Sequence, residues 1–144
     1  MKVYLEKGAH LPERAHYTDA GLDLRSPAPF TIGPRGSALV NTKVHICVPE
    51  GYVGFIKSKS GLNSKHDIQC EGVVDAGYSG PIFVKLQNLG NHTFDIEPGD
   101  KIAQFVLLPI APVETVTEVD SREFMMECNN ISSRGDGRFG STGK

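Results

Sequence analysis

An all-β sandwich or barrel is the fold class this sequence predicts, and three observations predict it. Short runs alternate apolar and polar residues with a period of two, the signature of strands with one buried face. Sixteen glycines and nine prolines in 144 residues cut the chain between those runs. No stretch of a dozen residues repeats its apolar positions at helical spacing, which argues against a helical domain.

The clearest strand signal puts Ala38, Val40, Thr42, Val44 and Ile46 on one face and Asn41, Lys43 and His45 on the other. Gly33-Pro34 precedes that run and Pro49-Glu50-Gly51 follows it, both turn signals because glycine admits left-handed backbone and proline fixes φ. Gly61 to His66 predicts a single helical turn at most. Ile82, Val84 and Leu86 alternate with Phe83, Lys85 and Gln87 between the turns Gly80-Pro81 and Leu89-Gly90-Asn91. After Glu97-Pro98-Gly99, the run Ile102 to Ile110 breaks the alternation, for Phe105, Val106, Leu107 and Leu108 are consecutive apolar residues. Both faces of that strand demand cover, and an interior strand or a strand at a subunit interface explains this equally. From Asn129 to Lys144 there is no periodic apolar face. The chain therefore reads as one β-domain over residues 1–128 and a flexible glycine-rich arm over residues 129–144.

A chain of this length suits one domain and buries roughly 70% of its extended surface, enough for a core without staples. With 39% hydrophobic residues, 22% charged and a net charge of −2, it does not bind nucleic acid through a general positive field. A local cationic pocket remains open to it. Cys47, Cys70 and Cys128 lack CxxC or Cys/His ligand spacing and read as idle thiols in a reducing compartment. The opening Met1-Lys2-Val3-Tyr4-Leu5-Glu6 has no apolar signal segment, and no 18 consecutive residues are apolar. The expectation is a soluble cytoplasmic protein with no membrane contact, in which the sequons at Asn91 and Asn130 are silent.

Five stretches carry chemistry. A nucleoside triphosphate demands cations, oriented N–H groups, a divalent metal and a carboxylate to orient water. Ala20-Gly21-Leu22-Asp23-Leu24 sets a carboxylate among apolar residues, which a turn-capping Asp explains as well. Lys57-Ser58-Lys59-Ser60-Gly61-Leu62 ends a strand with two cations, two hydroxyls and a glycine, either a phosphate nest or a solvated strand end. Gly72-Val73-Val74-Asp75-Ala76-Gly77-Tyr78-Ser79-Gly80 is a glycine-bounded hairpin that displays one Asp and one Tyr, though many such Asp residues only shape a turn. Gly99-Asp100-Lys101-Ile102-Ala103-Gln104 leads a turn into the apolar strand with Gln104 facing inward, a position that a structural amide also fills. The tail, Arg134 to Gly143, contains a formal G-x-G-x-x-G at Gly135 to Gly140, but no strand-turn-helix can be built before Lys144. Its Arg134, Arg138, Phe139, Ser141 and Thr142 are instead the parts of a lid: cations for phosphate, a ring for stacking, donors for a terminal phosphate.

In this order, the five stretches resemble the five motifs of the trimeric dUTPase family from about Ala20 to Gly143. The resemblance implies a jelly-roll-like subunit in a homotrimer, with active sites shared between subunits and the arm arriving from a third chain. It implies hydrolysis of dUTP to dUMP and pyrophosphate, assisted by Mg2+. Asp75 resembles the carboxylate that orients the attacking water, and Tyr78 the ring packed under the deoxyribose. Gly72, Val73 and Val74 would read uracil through main-chain groups, and Phe139, flanked by Gly140, would stack on the base. Lys59, Ser60, Gly61, Gln104, Arg134, Arg138, Ser141 and Thr142 would hold phosphates, while Asp23 would hold waters of a phosphate-bound magnesium ion.

Two departures stand out: Lys59 replaces the family's usual Arg, giving charge without the bidentate fork, and Arg138 interrupts the usual Gly-Gly-Phe-Gly. Arg138 would compensate for Lys59. The span from Ser60 to Asp75 is also about a residue shorter than common. The related dCTP deaminases place a catalytic Glu in a Thr-Leu-Glu run; the corresponding Phe83-Val84-Lys85 has Lys85 there, which argues against deamination. A nucleotide-binding regulator and a purely structural β-domain are the other readings.

Overall fold

The structure, a computed structural model, describes residues 1–111, 113 and 115–131. Eleven strands follow in order: β1 (Lys2–Leu5), β2 (Gly21–Arg25), β3 (Phe30–Ile32), β4 (Ser37–Asn41), β5 (Val44–Cys47), β6 (Tyr52–Lys57), β7 (Ile68–Gln69), β8 (Glu71–Val74), β9 (Phe83–Asn88), β10 (Phe94–Ile96) and β11 (Lys101–Pro109). Helix α1 (Ser60–His66) lies between β6 and β7, one residue longer than the turn expected there. The strands form a four-stranded sheet β2-β11-β6-β8, a three-stranded sheet β4-β9-β7, and the pairs β1-β5 and β10-β3. Every pairing is antiparallel. The predicted all-β class holds, and all four sheets contribute to one core.

The period-two pattern predicts burial closely. Val40, Thr42, Val44 and Ile46 are buried, as are Ile82, Val84 and Leu86, while Phe83, Lys85 and Gln87 are exposed. The first run is broken into β4 and β5 by Lys43, whose φ is +60°. The Asn41 side-chain oxygen accepts from the Lys43 N–H at 2.8 Å, a local bond that offsets the left-handed backbone. Buried Thr42 donates its hydroxyl to the Ile82 carbonyl at 2.8 Å, so the polar member of the apolar face is satisfied.

β11 is an interior strand of its sheet, hydrogen-bonded to β2 on one edge and β6 on the other. Ile102, Ala103 and Phe105 are fully buried, whereas Leu108 is 46% exposed. Burying Phe105 contributes about 1.5–3 kcal/mol.

The compact β unit is shorter than the predicted 1–128, ending at Ala111. A second helix, α2 (Ser121–Ile131), spans the expected boundary at 128. This corrects the expectation of no further helix. Asp120 caps α2, its carboxylate accepting from the N–H groups of Arg122 and Glu123 at 2.9 Å each. Asp120 with Glu123 is a capping-box pair, and Phe124, Cys128 and Ile131 fall at i, i+4 and i+7. The stripe is shorter than the dozen residues that periodicity needs to show itself. Among the described residues, no helix is long and apolar enough to cross a membrane.

Candidate active site

The site is built on the sheet β2-β11-β6-β8, at its two ends. Across this sheet Asp23 pairs with Gln104, Gln104 with Lys57, and Lys57 with Glu71, a polar row on one face. Between Lys101 and Ala103 the β11–β2 register shifts, so β11 carries one extra residue against β2. Lys101 and Gln104, three positions apart, would point to opposite faces of a regular strand. The bulge brings both to the face of Asp23, a common use of bulges near functional groups.

Asp23 is only 8% exposed and is held by two ammonium groups. Lys101 Nζ lies 2.7 Å from Oδ2, and Lys59 Nζ bonds Oδ1. Burial alone would push the carboxyl up; the Lys101 and Lys59 ammoniums outweigh it and hold it below its ordinary value of 3.8. Lys59 is the residue just before α1, in extended backbone, with Ser60 and Gly61 in the first helical turn. Gln104 does face this cluster, but its amide donates to the Ser58 carbonyl at 3.0 Å. The Ser58 hydroxyl in turn ties to Cys70, accepting from its N–H at 2.8 Å and donating to its carbonyl at 3.0 Å. These bonds fix the strand end from which Lys59 projects.

At the other end, β8 delivers Val73 and Val74 into a turn. The Tyr78 N–H donates to the Asp75 carbonyl at 3.2 Å, with Gly77 at φ +86°. That is the geometry of a type II turn, which requires glycine at its third position. Tyr78 folds back so that its hydroxyl donates to the Pro81 carbonyl at 2.9 Å. Gly80 allows this, since a Cβ there would lie 2.4 Å from the Tyr78 hydroxyl oxygen. Asp75 and Tyr78 line a cleft of about 290 Å³ with Val73, Val74, Ile56, Ile82 and Phe83. The last three were missed in the sequence; strand alternation marked Ile82 and Phe83 without relating them to the hairpin.

The structure thus brings together Asp23 with Lys59 and Gln104, and separately Val73, Val74, Asp75 and Tyr78. Gly72 pairs with Ile56 on β6, between the two groups. Lys101 joins the first group unforeseen. Its signal was only its place beside Gly99-Asp100, and linking it to Asp23 needs the β2–β11 register. Arg134, Arg138, Phe139, Gly140, Ser141 and Thr142 lie outside the described residues.

No three His, Cys, Asp or Glu side chains gather to hold a metal among the described residues. Both Asp23 carboxylate oxygens are already engaged by lysines. This donor set does not fit a protein-caged ion. An ion ligated by substrate phosphates and waters would need no such cage.

A β-domain that shows one carboxylate beside an apolar, ring-lined cleft, and a lysine cradle on the same sheet, has the parts of a hydrolase for a phosphorylated, ring-bearing substrate. Comparison with known proteins narrows this class. The dUTPase family model matches residues 7–143. The deoxyuridine 5'-triphosphate nucleotidohydrolase of Tropheryma whipplei (strain Twist) is 42% identical, over 97% of this chain and 93% of its own. That of Candida albicans (strain SC5314) is 41% identical, over 100% of this chain and 88% of its own. Among solved structures, a mutant dUTPase of Staphylococcus bacteriophage 80alpha with dUpNHpp superposes with a TM-score of 0.82 at 32% identity, covering 99% of this chain and 98% of its own. A mutant dUTPase from phage phi11 of S. aureus, described with a structural Mg(II) ion, gives 0.77 at 31% identity, covering 84% and 97%. The chain belongs to the dUTPase family.

Proposed function

We propose that this chain is a dUTP diphosphatase, hydrolysing dUTP to dUMP and pyrophosphate. The observation that carries the reading is the joint placement of Asp75 and Tyr78 in one apolar cleft, on a turn whose geometry Gly77 and Gly80 secure. Asp75 orients a water in line with the α-phosphorus and accepts its proton as the new P–O bond forms and the bond to the β-phosphate oxygen breaks. Tyr78 packs under the deoxyribose, where a ribose 2′-hydroxyl would collide. Main-chain groups from Gly72 to Val74 hydrogen-bond the uracil edge, and a pocket that pairs one edge rejects the wrong one strongly. Lys59, Ser60, Gly61 and Gln104 hold phosphates. The arm residues Arg134, Arg138, Phe139, Gly140, Ser141 and Thr142 cover the nucleotide. Bound Mg2+ supplies charge neutralisation at the triphosphate, and Asp23 steadies its waters.

Register supports a site shared between subunits. Glu71 is opposite Lys57 and Val74 opposite Gly54, so Asp75 and Lys59 lie beyond opposite ends of the β6–β8 pairing. At ~3.3 Å per residue they are separated by roughly 15–20 Å. A cation on a phosphate and a carboxylate aiming water at the α-phosphorus must meet the same triphosphate, so each chain offers them to different nucleotides. The sheet's outer face supports the homotrimer too, since Val73 and Leu108 are 60% and 46% exposed, an apolar surface that a neighbour would cover. The unpaired Cys47, Cys70 and Cys128 suit a reducing, cytoplasmic compartment. There the reaction would limit uracil incorporation into DNA and supply dUMP for dTMP synthesis.

The test measures pyrophosphate release from dUTP, dCTP, dTTP and UTP with magnesium. Asp75→Asn should lower dUTP turnover by about 10²–10⁴-fold with the fold unchanged. Unaltered turnover in that variant, or ammonia released from dCTP by the unmodified chain, would overturn the reading.

A further inference from the structure

The turn that carries Asp75 and Tyr78 is tied down on its far side by a residue outside all five motifs. His45, on β5, places Nδ1 2.8 Å from the Ser79 carbonyl oxygen and Nε2 2.9 Å from Oε1 of Glu6. Its ring leans on Tyr4 of β1, centroids 5.1 Å apart. Both polar partners are acceptors, a carbonyl and a carboxylate, while a neutral imidazole has a single N–H. Only the imidazolium donates to both.

Among the described residues, little else backs the turn from that side. A hollow of about 320 Å³ separates it from the β1-β5 pair, with Lys2, Tyr4, His45 and Cys47 among its walls. Tyr78 lines both this hollow and the cleft that holds Asp75. The link from His45 to Ser79, the residue after Tyr78, spans the gap.

We propose that His45 is a positioning residue for hydrolysis, bracing the Asp75–Ser79 turn through Ser79 and Glu6 only while its ring is protonated, so that substrate binding weakens as pH rises. This rests on the roles given above to Asp75 and Tyr78. The Ser79 carbonyl first, and then the Glu6 carboxylate, raise His45 above its ordinary 6.5. The brace is therefore complete below that ordinary value and lost as pH rises through the raised one. Glu6 is the charged group in contact with the ring, Tyr4 lies tilted against it, and Lys2 and Cys47 stand elsewhere in the same hollow.

The experiment is steady-state dUTP hydrolysis with magnesium, from about pH 6 to about pH 9 across the histidine range. It compares the unmodified chain with His45→Phe, His45→Asn, Glu6→Gln and Asp75→Asn. The unmodified chain should show KM rising about 10-fold with pH toward His45→Phe's flat, already raised profile, since misplacing a positioned group by about 1 Å costs up to ~10²-fold. His45→Asn, which keeps a donor for the Ser79 carbonyl but loses the link to Glu6 and cannot titrate, should show a pH-flat KM no lower than that of the deprotonated unmodified chain. Glu6→Gln, a change at an exposed side chain, should move the rise to lower pH. A His45→Phe or Glu6→Gln profile that superposes on that of the unmodified chain overturns the brace. If Asp75→Asn also hydrolyses normally, the site assignment itself has failed; if it is inactive while the His45 variants match the unmodified chain, only the brace has.

Discussion

Gly80→Ala tests how the Tyr78 ring is held. The added Cβ would lie 2.4 Å from the Tyr78 hydroxyl oxygen, 2.7 Å from Cζ and 3.1 Å from Cε2. Carbon–oxygen contact resumes near 3.4 Å, so the ring must swing by about 1 Å. Gly80 has no positive φ, so alanine adds volume without backbone strain. The 2.9 Å bond from the hydroxyl to the Pro81 carbonyl is lost, at a cost of about 0.5–1.5 kcal/mol; in an exposed residue, water recovers much of that. Replacing glycine also removes unfolded-state freedom, which offsets about 0.4–1 kcal/mol. The melting temperature should therefore stay within a few degrees. Substrate binding should suffer more, with KM for dUTP rising about 10-fold, or ~1.4 kcal/mol. Adding Tyr78→Phe removes the closest clash and should recover part of the loss. Unchanged KM in Gly80→Ala would refute the claim that Tyr78's seat governs binding.

Acid titration should expose the Asp23 cluster. Its lowered carboxyl stabilises the fold above the ordinary 3.8, and that contribution fades as pH falls through the lower folded value. Acid unfolding followed by circular dichroism should begin at higher pH in Lys101→Met than in the unmodified chain. Chelating magnesium with EDTA should suppress turnover while leaving the thermal unfolding curve in place, because no described side chains cage an ion. A double-mutant cycle on Lys59 and Arg138 should show coupling in dUTP turnover of at least about 0.5 kcal/mol if Arg138 offsets the weaker grip of lysine; additive effects would remove that idea.

Much of the fold was legible because alternation is a local signal. Val40, Thr42, Val44 and Ile46, or Ile82, Val84 and Leu86, announce their buried face whatever they pair with. The Asp75-to-Tyr78 turn was legible for the same reason, since Gly77 answers a requirement set within four residues. Helix α2 was missed, although its Asp120–Glu123 cap was visible, because so short an apolar stripe does not establish a period.

What the sequence determined by itself is therefore the fold class, the turn that carries Asp75 and Tyr78, and the ordered motifs of the family; the hairpin expected there is instead a connection between two sheets, since β8 pairs with β6 and β9 with β4 and β7. Tertiary structure alone decided which distant groups meet. The bulge in β11 turns Lys101 and Gln104 to the face of Asp23, and sheet register sets Asp75 and Lys59 at opposite ends of β6 and β8. It also brings His45 between Glu6 and Ser79. The physical reason is that a strand's side-chain period fixes faces locally, while register and bulges are settled only when strands pair and a one-residue shift reverses every neighbour.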